Sequence, residues 1–456
     1  MTVLQLLFLI PFFISCYYVA RGQASKAFLN VYIPCLLVFP TYYAVRLPHL
    51  PSISMASGAI IPIGIAMLFK PRVPWRFKRM DLWVLLFLAA IGISETTREI
   101  DPKAGMIIFI QDFFEMFLVY IAGRQIIEPN LRLELIKRII FCFVIDAPLA
   151  LYEYRFGVNP YMNFGQRFLG IGGGWFVQLR GGHARVASAF AHAILAGMLF
   201  VVAIALNHYL QYIYKLNKHK LGPRMSQLQQ YKIPAVVLPI LLYLTGSRMP
   251  MACGVLCYTL MLIPRFRSLK TGVITILLVV FVGGGIVYTG FEKYTEIKAG
   301  QQSGEAQSSA IYRKQLLENY APAIEAGGWI GWGVNSFPRF PGQASVDNNY
   351  LILQLAHGKF GRYTFTMLGI EMLLSLSLAL RRFQSKETQY LGFSLMTALV
   401  GIFVALSTVA MFEQVVQVLF LLLGWSQSLQ DTSVFGARAE AAAVPEGKFR
   451  FRRVFA

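Results

Sequence analysis

Charge is scarce in this sequence of 456 residues, and negative charge is scarcer than positive. Only 14% of the residues are charged, whereas soluble domains carry about a quarter, so an ordinary soluble enzyme is not indicated. The 56% apolar or aromatic content also argues against intrinsic disorder. The 42 lysines and arginines exceed the 22 aspartates and glutamates and give a net charge of +20. In a membrane protein this excess is typical of cytoplasmic loops, so no nucleic-acid partner is expected.

Cysteine is also rare, and its positions argue against two kinds of site. The cysteines all lie inside apolar runs and are Cys16, Cys35, Cys142, Cys253 and Cys257. No loop carries a pair, so the sequence indicates neither a disulfide framework nor a cysteine metal site. We interpret these cysteines as packing residues.

Several catalytic motifs are missing. The sequence has no glycine-rich phosphate loop ending in Lys-Ser/Thr, no Gly-x-Ser-x-Gly turn and no His-Glu-x-x-His pair. It also has no Asp-x-Asp pair, and hence no visible ligand set for a metal-dependent sugar-nucleotide transferase. These absences argue against an ATP-driven pump and a zinc enzyme, and we expect neither a cofactor nor a metal ion.

Long apolar runs are what the sequence has in abundance. They lie near 3–20, 28–45, 55–69, 82–94, 105–123, 136–152, 186–208, 233–246, 249–263, 271–290, 350–380, 389–410 and 414–427. Because a spanning helix takes roughly 20 residues, these runs predict an all-α, polytopic membrane protein with about 12–14 transmembrane helices. The predicted membrane domain is 1–430. The basic tail, 431–456, is expected to be a disordered cytoplasmic end.

Basic residues indicate which side each loop faces. They are denser in one set of alternate loops, which includes 70–79, 124–138 and 215–232. We therefore place these loops and the C-terminus in the cytoplasm. Two long loops, about 153–185 and 291–349, then lie on the extracytoplasmic side.

The longer outer loop contains a predicted helix. Its apolar side chains share one helical face and are Ile311, Leu316, Leu317, Tyr320, Ala321 and Ile324. We expect Pro322 to kink this helix or to end it early, and the glycine-rich segment 327–333 to end it in any case. A helix in this place could cover an active site or could serve only as a packing lid.

Three arginines lie where the positive-inside rule does not explain them. Arg185 begins the apolar run 186–208, Arg248 follows in a tight turn, and Arg313 lies on the predicted loop helix. The planar guanidinium suits phosphate oxygens and stays charged. Singly, each fits better as an interfacial arginine that binds lipid headgroups. Together at the outer face, they would form a diphosphate site.

Three further polar residues are candidates for the chemistry. Asp347 could take a proton from a sugar hydroxyl, and Asn348 could orient the sugar. Both are also typical N-caps for the helix that begins near Tyr350, and the spacing alone favours the cap. His192 could handle a proton, although membrane histidines are more often interhelical hydrogen-bonding residues.

Carboxylates inside the apolar runs keep a second class of function open. Asp112 and Glu115 share a face of one predicted span, and Asp146 and Glu371 lie in others. Such residues are proton-relay candidates in transporters. The alternative is that they pair with basic residues of neighbouring helices.

Three segments resemble those of bacterial O-antigen ligases and the related polysaccharide polymerases. The first is Arg185-Val-Ala-Ser-Ala-Phe-Ala-His192, and the second is Leu244-Thr-Gly-Ser-Arg248. The third runs from Arg313 through Gly331-Trp-Gly333 to Asp347-Asn-Asn-Tyr-Leu351. The order and spacing also agree, and the resemblance covers residues 180–365.

The resemblance implies an all-helical membrane glycosyltransferase. The donor would be a glycan on an isoprenoid diphosphate, usually undecaprenyl diphosphate, at the outer face of the bacterial cytoplasmic membrane, and the acceptor would be a sugar hydroxyl. Arg185 and Arg248 would hold the diphosphate with help from Arg313. Asp347 would be the base, with His192 or His183 as alternatives. Membrane lipid and other polysaccharide assembly proteins are the remaining partners that it implies.

Two departures from the family pattern bear on the reaction. Ligases carry a histidine where this chain has Asp347, and their Pro-Asn after the first motif is replaced by Ala193-Ile194. An Asp-Asn pair at this place resembles polymerases, so we expect a polymerase of O-antigen, capsule or exopolysaccharide, with a ligase as the alternative. A lipid-linked oligosaccharide flippase and a non-catalytic assembly scaffold are the competing functions from other classes.

Overall fold

The computed structural model describes residues 3–171, 176–216, 225–263, 305–340, 345–383 and 385–442, and these ranges are almost entirely helical. In chain order the helices are α1 Ile10–Ala20, α2 Ala24–Ala27, α3 Ile33–Val38, α4 Met55–Phe69, α5 Arg79–Arg98, α6 Pro102–Asp112, α7 Val119–Ile126, α8 Pro129–Phe156, α9 Pro160–Leu169, α10 Ala193–Leu216, α11 Met225–Leu244, α12 Arg248–Leu260, α13 Glu305–Gly327, α14 Asn349–Leu380, α15 Lys386–Ala405 and α16 Gln414–Ala442. A 3-10 turn, Val3–Leu9, precedes α1, and π-helical segments, Phe28–Tyr32 and Phe113–Leu118, precede α3 and α7. The all-α prediction is confirmed.

Two short antiparallel hairpins are the strands that the described part contains. β1, Ala44–Val45, pairs with β2, Ile53–Ser54, and β3, Leu179–Arg180, pairs with β4, His183–Ala184. Gly181 and Gly182 connect β3 to β4 with φ values of 57° and 79°. Two consecutive positive φ values favour glycine in a two-residue hairpin turn. The sequence analysis predicted neither hairpin.

Among the described residues, five helices are long and apolar enough to cross a membrane. They are Arg79–Arg98, Pro102–Ile126, Ala193–Lys215, Asn349–Leu380 and Lys386–Ala405. Four shorter apolar helices accompany them, at Gln5–Ala20, Ala24–Val38, Met55–Phe69 and Lys232–Leu244. The chain is therefore an all-α, polytopic membrane protein. The count of 12–14 spans stays a prediction, because the run 271–290 lies outside the described residues.

Helix α10 lies at the centre of the bundle, with 89% of its most apolar stretch buried. It packs against α8, α11, α12 and α15. Phe200 of α10 meets Phe143 of α8 and Phe190 of the preceding segment, with ring centroids 5.6 to 6.3 Å apart. The segment that leads into α10 is thus fixed to the core through Phe190.

Helix α14 is interrupted at Gly358, which has φ 66° and ψ −166°. The glycine-rich segment 327–333 fills the gap, and the Gly333 N–H donates to the Ala356 carbonyl at 2.9 Å. A Cβ at Gly358 would lie 2.4 Å from the Trp329 carbonyl oxygen. Only glycine allows both this backbone conformation and this approach.

Two carboxylates of α5 hold the chain after this contact. Glu95 Oε1 accepts from the Val334 N–H at 2.9 Å, and Glu99 Oε2 accepts from the Asn335 N–H at 3.4 Å. Glu95 is fully buried and also lies 3.5 Å from His357 Nδ1. These contacts set the course of the chain toward Asp347.

The outer-loop helix differs in part from its prediction. α13 continues through Pro322, so it does not end early there, and it ends at Gly327 as predicted. Its buried face is Leu316, Tyr320 and Ala323. The predicted face was wrong for Leu317 and Ala321, which are exposed. Residues 291–304 of this predicted loop lie outside the described residues.

Two other predicted regions contain regular structure. The outer loop 153–185 holds the end of α8, helix α9 and the hairpin β3–β4. The last helix, α16, extends to Ala442 and so includes the first part of the predicted tail. Residues 443–456 lie outside the described part of the chain.

Candidate active site

A cavity of about 760 Å³ lies where α14 begins. Its walls come from the first hairpin, α6 and the π-helical segment after it, the segment before α10, the end of the outer loop and the turn before α16. Arg185, His192 and Asp347, three of the six predicted site residues, line it. Arg248 and Asn348 do not line it, and the Arg313 side chain lies outside the described part of the structure.

Arg185 lies between β4 and α10, with its guanidinium against the turn after α11. Nε donates to the Thr245 carbonyl at 3.1 Å, Nη2 donates to Ser247 Oγ at 2.9 Å, and Nη1 donates to Gln178 Oε1. Three of its five N–H donors are thus used, so two remain for a ligand. Burial, and then the neighbouring Arg180, lower the Arg185 pKa to about 10. The side chain therefore stays a cation at neutral pH, and no carboxylate of the described residues forms an ion pair with it.

The Thr-Gly-Ser-Arg turn supports Arg185 and does not itself reach the cavity. Gly246 has φ 59°, and a Cβ there would lie 3.4 Å from Arg185 Cγ. The Arg180 guanidinium donates to the Gly246 carbonyl at 2.8 Å. Arg248 is the first residue of α12, and its side chain is exposed. The first two family-like segments therefore meet, while only Arg185 presents its charge to the cavity.

Two further arginines line the cavity and were missed by the sequence analysis. Arg46 follows β1, and Arg339 lies in the outer loop with its guanidinium 4.0 Å from the Phe337 ring centroid. Both are exposed. Both lie in loops that the charge pattern predicts to face outward, where the positive-inside rule does not explain them, so the criterion that identified Arg185 would have found them.

His192 is the residue just before α10, and its hydrogen bonding fixes its tautomer. The Ile194 N–H donates to His192 Nδ1 at 3.1 Å. Burial and the nearby Arg185 lower the His192 pKa to about 4, although Asp347 opposes the shift. The imidazole is therefore neutral at pH 7 with its hydrogen on Nε2. In this state Nε2 is a hydrogen-bond donor and not a base.

Asp347 and Asn348 have separate roles in the structure. Asn348 is the N-cap of α14, because its Oδ1 accepts from the Leu351 N–H at 3.2 Å. The capping alternative is therefore right for Asn348. Asp347 is half-buried, lines the cavity and accepts from Ser345 Oγ at 2.8 Å. Tyr312 of α13 holds this turn through a 2.6 Å hydrogen bond to the Ser345 carbonyl.

Asn349, the next residue, contributes a donor that the sequence analysis missed. Its side chain is 3% exposed and lines the cavity. Oδ1 accepts from the Met411 N–H at 3.0 Å, whereas Nδ2 has no hydrogen-bond partner among the described residues. A buried amide without a partner is costly, so a ligand oxygen in the cavity would satisfy this group.

A second part of the cavity wall is acidic. Asp112, Glu115 and Glu413 line it, and Ser57 Oγ donates to Glu115 Oε1 at 2.9 Å. Glu413 immediately precedes α16 and has φ 54°, a left-handed conformation that is uncommon for a non-glycine residue. Burial raises the Glu413 pKa above its ordinary value. No signal in the sequence set Glu413 apart from other carboxylates at helix ends.

The remaining candidates lie outside this cavity. Glu371 is half-buried on α14, and His183 is exposed on β4, where it stacks on Tyr154. Asp146 is buried and accepts hydrogen bonds from Tyr161 and Ser188, so hydroxyl groups take the place of the basic residues expected as its partners. Within the described ranges, no group of three or more His, Cys, Asp or Glu side chains could hold a metal ion.

Comparison with known families finds a match for part of the chain. Residues 233–361 match the O-antigen ligase family model. The matched range of this O-antigen ligase domain includes the Thr-Gly-Ser-Arg turn, α13, the glycine-rich segment and Asp347, and the resemblance noted in the sequence is confirmed. Arg185 and His192 precede the matched range, and they line the same cavity as Asp347, which lies within it. No curated protein matches the chain.

Proposed function

We propose that the chain is a membrane glycosyltransferase that joins lipid-linked oligosaccharide repeat units into a surface polysaccharide. The observation that carries the proposal is a cavity lined by a cationic arginine, Arg185, that has no carboxylate partner among the described residues, and by Asp347, a carboxylate inside the range that matches the O-antigen ligase family model. The reaction would take place at the outer face of the bacterial cytoplasmic membrane. Undecaprenyl diphosphate is the proposed carrier of the donor.

The basic side chains of the cavity suit a diphosphate leaving group. When the bond between the anomeric carbon and the phosphate oxygen breaks, negative charge grows on that oxygen. The two unused N–H donors of Arg185 would stabilise this charge more in the transition state than in the ground state. Arg46 and Arg339 would hold the remaining phosphate oxygens. Arg248, which is exposed and does not line the cavity, is the less favoured member of the proposed diphosphate site, and Arg313 stays a sequence-based candidate.

Asp347 suits the role of base toward the acceptor. Its carboxylate would take the proton of an acceptor hydroxyl as the hydroxyl oxygen attacks the anomeric carbon. The diphosphate would leave from the opposite face, so the anomeric centre would invert. His192 would donate a hydrogen bond from Nε2 to a phosphate or sugar oxygen. No metal ion or cofactor takes part in the proposed reaction.

Two alternatives use the same cavity. A ligase would transfer the finished glycan to another acceptor, and Asp347 in place of a histidine is the feature that favours a polymerase. A flippase of lipid-linked oligosaccharide is supported by Asp112 and Glu115, which line the cavity from within a candidate span. The arginines of the cavity favour the transferase over the flippase.

A glycan profile of the source cell tests the proposal. Cells that lack the gene would be complemented with wild type, Arg185→Ala or the control Arg381→Ala, an exposed arginine at the far end of α14. We expect single repeat units to accumulate on the lipid carrier and long chains to vanish, with rescue by the wild type and the control but not by Arg185→Ala. Long chains that stay on the carrier would identify a ligase, and repeat units trapped on the cytoplasmic leaflet would identify a flippase.

A further inference from the structure

Two buried carboxylates of α8 hold the segment that carries Arg185 and His192. Asp146 and Glu153 are both 0% exposed, and neither lines the 760 Å³ cavity. They are seven residues apart and so lie on the same face of the helix. A buried carboxylate without hydrogen-bond partners costs folding free energy. The partners of these two carboxylates therefore indicate their role.

Among the described residues, the hydrogen-bond partners of Glu153 are all nitrogen donors. Its Oε2 accepts from the backbone N–H groups of Ala187 and Ser188 at 3.1 and 2.7 Å. Its Oε1 accepts from Asn159 Nδ2 at 3.0 Å. The same Asn159 nitrogen also reaches the Ser188 carbonyl at 2.9 Å. Neither a backbone N–H group nor an amide NH₂ group can accept a proton, so none of these donors could relay a proton from Glu153.

The hydrogen-bond partners of Asp146 in the described part of the chain are all hydroxyl groups. Oδ1 accepts from the Tyr161 hydroxyl at 2.8 Å, and Oδ2 accepts from Ser188 Oγ. Ser188 has φ 56°, a left-handed conformation that is uncommon for a non-glycine residue. The left-handed residue is thus held by Asp146 through its side chain and by Glu153 through its backbone.

We propose that Asp146 and Glu153 are positioning residues for the active site. They hold the Ser188 turn so that Arg185 on one side of it and His192 on the other lie correctly in the cavity. This inference rests on the proposed function of that cavity. It also removes Asp146 from the set of transporter coupling sites, because both of its oxygens are used as hydrogen-bond partners of this cluster.

The chemistry of the partners predicts unequal effects for two neutral substitutions. In Asp146→Asn the new amide can donate to a hydroxyl, which is either donor or acceptor, so we expect activity within about threefold of wild type. In Glu153→Gln the new NH₂ must face an N–H donor on one side or the other. A displaced turn should then lower the rate of glycan transfer by about 100-fold. A proton relay predicts a severe loss in both.

A compensating change provides the rescue test. In the double variant Glu153→Gln, Asn159→Asp, the new carboxylate accepts from the new amide and can still cap α9 at the Met162 N–H, which Asn159 Oδ1 caps at 3.1 Å. The bond to the Ser188 carbonyl is lost, and the new carboxylate oxygen also faces that carbonyl oxygen, which limits the rescue. We expect partial recovery of the transfer rate. Glu134→Gln is the matched control, because Glu134 lies on the same helix with a side chain that is 56% exposed.

Two readouts on the full chain in lipid nanodiscs separate the inference from the proposed function. Amide hydrogen exchange in residues 185–192 should accelerate in Glu153→Gln, recover in part in the double variant, and match wild type in Asp146→Asn and Glu134→Gln. Transfer of lipid-linked glycan should follow the same order. Unchanged exchange and activity in Glu153→Gln, or equal losses in Asp146→Asn, would overturn the inference. The expected exchange pattern in a wild-type protein without transfer activity would overturn only the function.

Discussion

At the residue scale, the hydrogen bond from the Ile194 N–H to His192 Nδ1 determines which proton His192 can move. Asparagine can reproduce this contact, because its Oδ1 accepts from the N–H two residues on. Its NH₂ remains a donor toward the cavity. We therefore expect His192→Asn to keep much more transfer activity than His192→Ala, as measured by initial rates. Equal inactivation of the two variants would restore His192 as a base.

The lowered His192 pKa also predicts how stability depends on pH. The unfolded imidazole takes up a proton near its ordinary pKa of 6.5, whereas the folded one does so only near 4. Stability should therefore be complete above pH 6.5 and fall by about 1–3 kcal/mol as the pH drops to 4. Thermal unfolding of wild type and His192→Asn at several pH values checks this, since the variant should lose that part of the slope.

The raised pKa of Glu413 predicts that its substitution by glutamine increases the stability of the fold while it decreases the transfer rate. Its raised pKa means that ionisation disfavours the folded state, so stability is present below the unfolded pKa and is lost as pH rises. Glu413→Gln removes this loss, and its melting temperature should exceed that of wild type increasingly from pH 4.5 to 8. Its transfer rate should fall if the cavity needs the charge. A variant with no gain at high pH would show that the carboxylate is compensated.

At the element scale, the break in α14 couples the outer loop to the bundle. Gly358→Ala would bring a Cβ to within 2.4 Å of the Trp329 carbonyl, whereas a Cβ at Gly170, the C-cap of α9, meets nothing within 4 Å. Both glycines have positive φ, 66° and 61°. Gly170→Ala should therefore cost about 1–2 kcal/mol from backbone conformation alone. Gly358→Ala should cost clearly more and should also reduce transfer. Equal thermal shifts in the two variants would show that the 327–333 contact is dispensable.

The sequence predicted a helix correctly where one long apolar run forms one helix. The end of α13 at Gly327 followed from local chemistry. The continuation through Pro322 and the burial of Ala323 in place of Ala321 depend on packing against the end of the outer loop, which no periodicity encodes. Helix α9 has ten residues of mixed polarity, so the sequence contains no long apolar run there. Its Phe164 and Phe168 side chains are 50% and 61% exposed.

At the scale of the whole molecule, the site was predictable where a charged residue departed from the positive-inside rule. Arg185 and Asp347 are 162 positions apart in the sequence numbering, and an argument from topology and motif order brought them together. Glu413 lines the cavity from a left-handed backbone turn. Asn349 lines it with an amide nitrogen that has no hydrogen-bond partner among the described residues. Both features arise only when the last helices pack, so residue type alone could not reveal them.

The charge distribution also separates the two ends of the bundle. Lys78 and Arg124, from two loops predicted to be cytoplasmic, both form ion pairs with Asp431 of α16. Asp347 and Arg381 lie just beyond the two ends of α14, and the part of the helix after its break at Gly358, 359–380, extends roughly 33 Å. The basic loops and the cavity thus belong to opposite ends, as a cavity outside the cell requires.

Labelling with a membrane-impermeant maleimide tests this orientation. Leu179 on β3 is 70% exposed near the cavity, and Arg381 is exposed at the opposite end. We expect Leu179→Cys to react in intact spheroplasts, and Arg381→Cys to react only after permeabilisation, because the basic end faces the cytoplasm. The wild-type chain is the control, since four of its five cysteines are buried and Cys16 is half-buried. The reverse pattern would place the cavity inside the cell, where a flipped lipid-linked glycan could not reach it, and would contradict the proposed reaction.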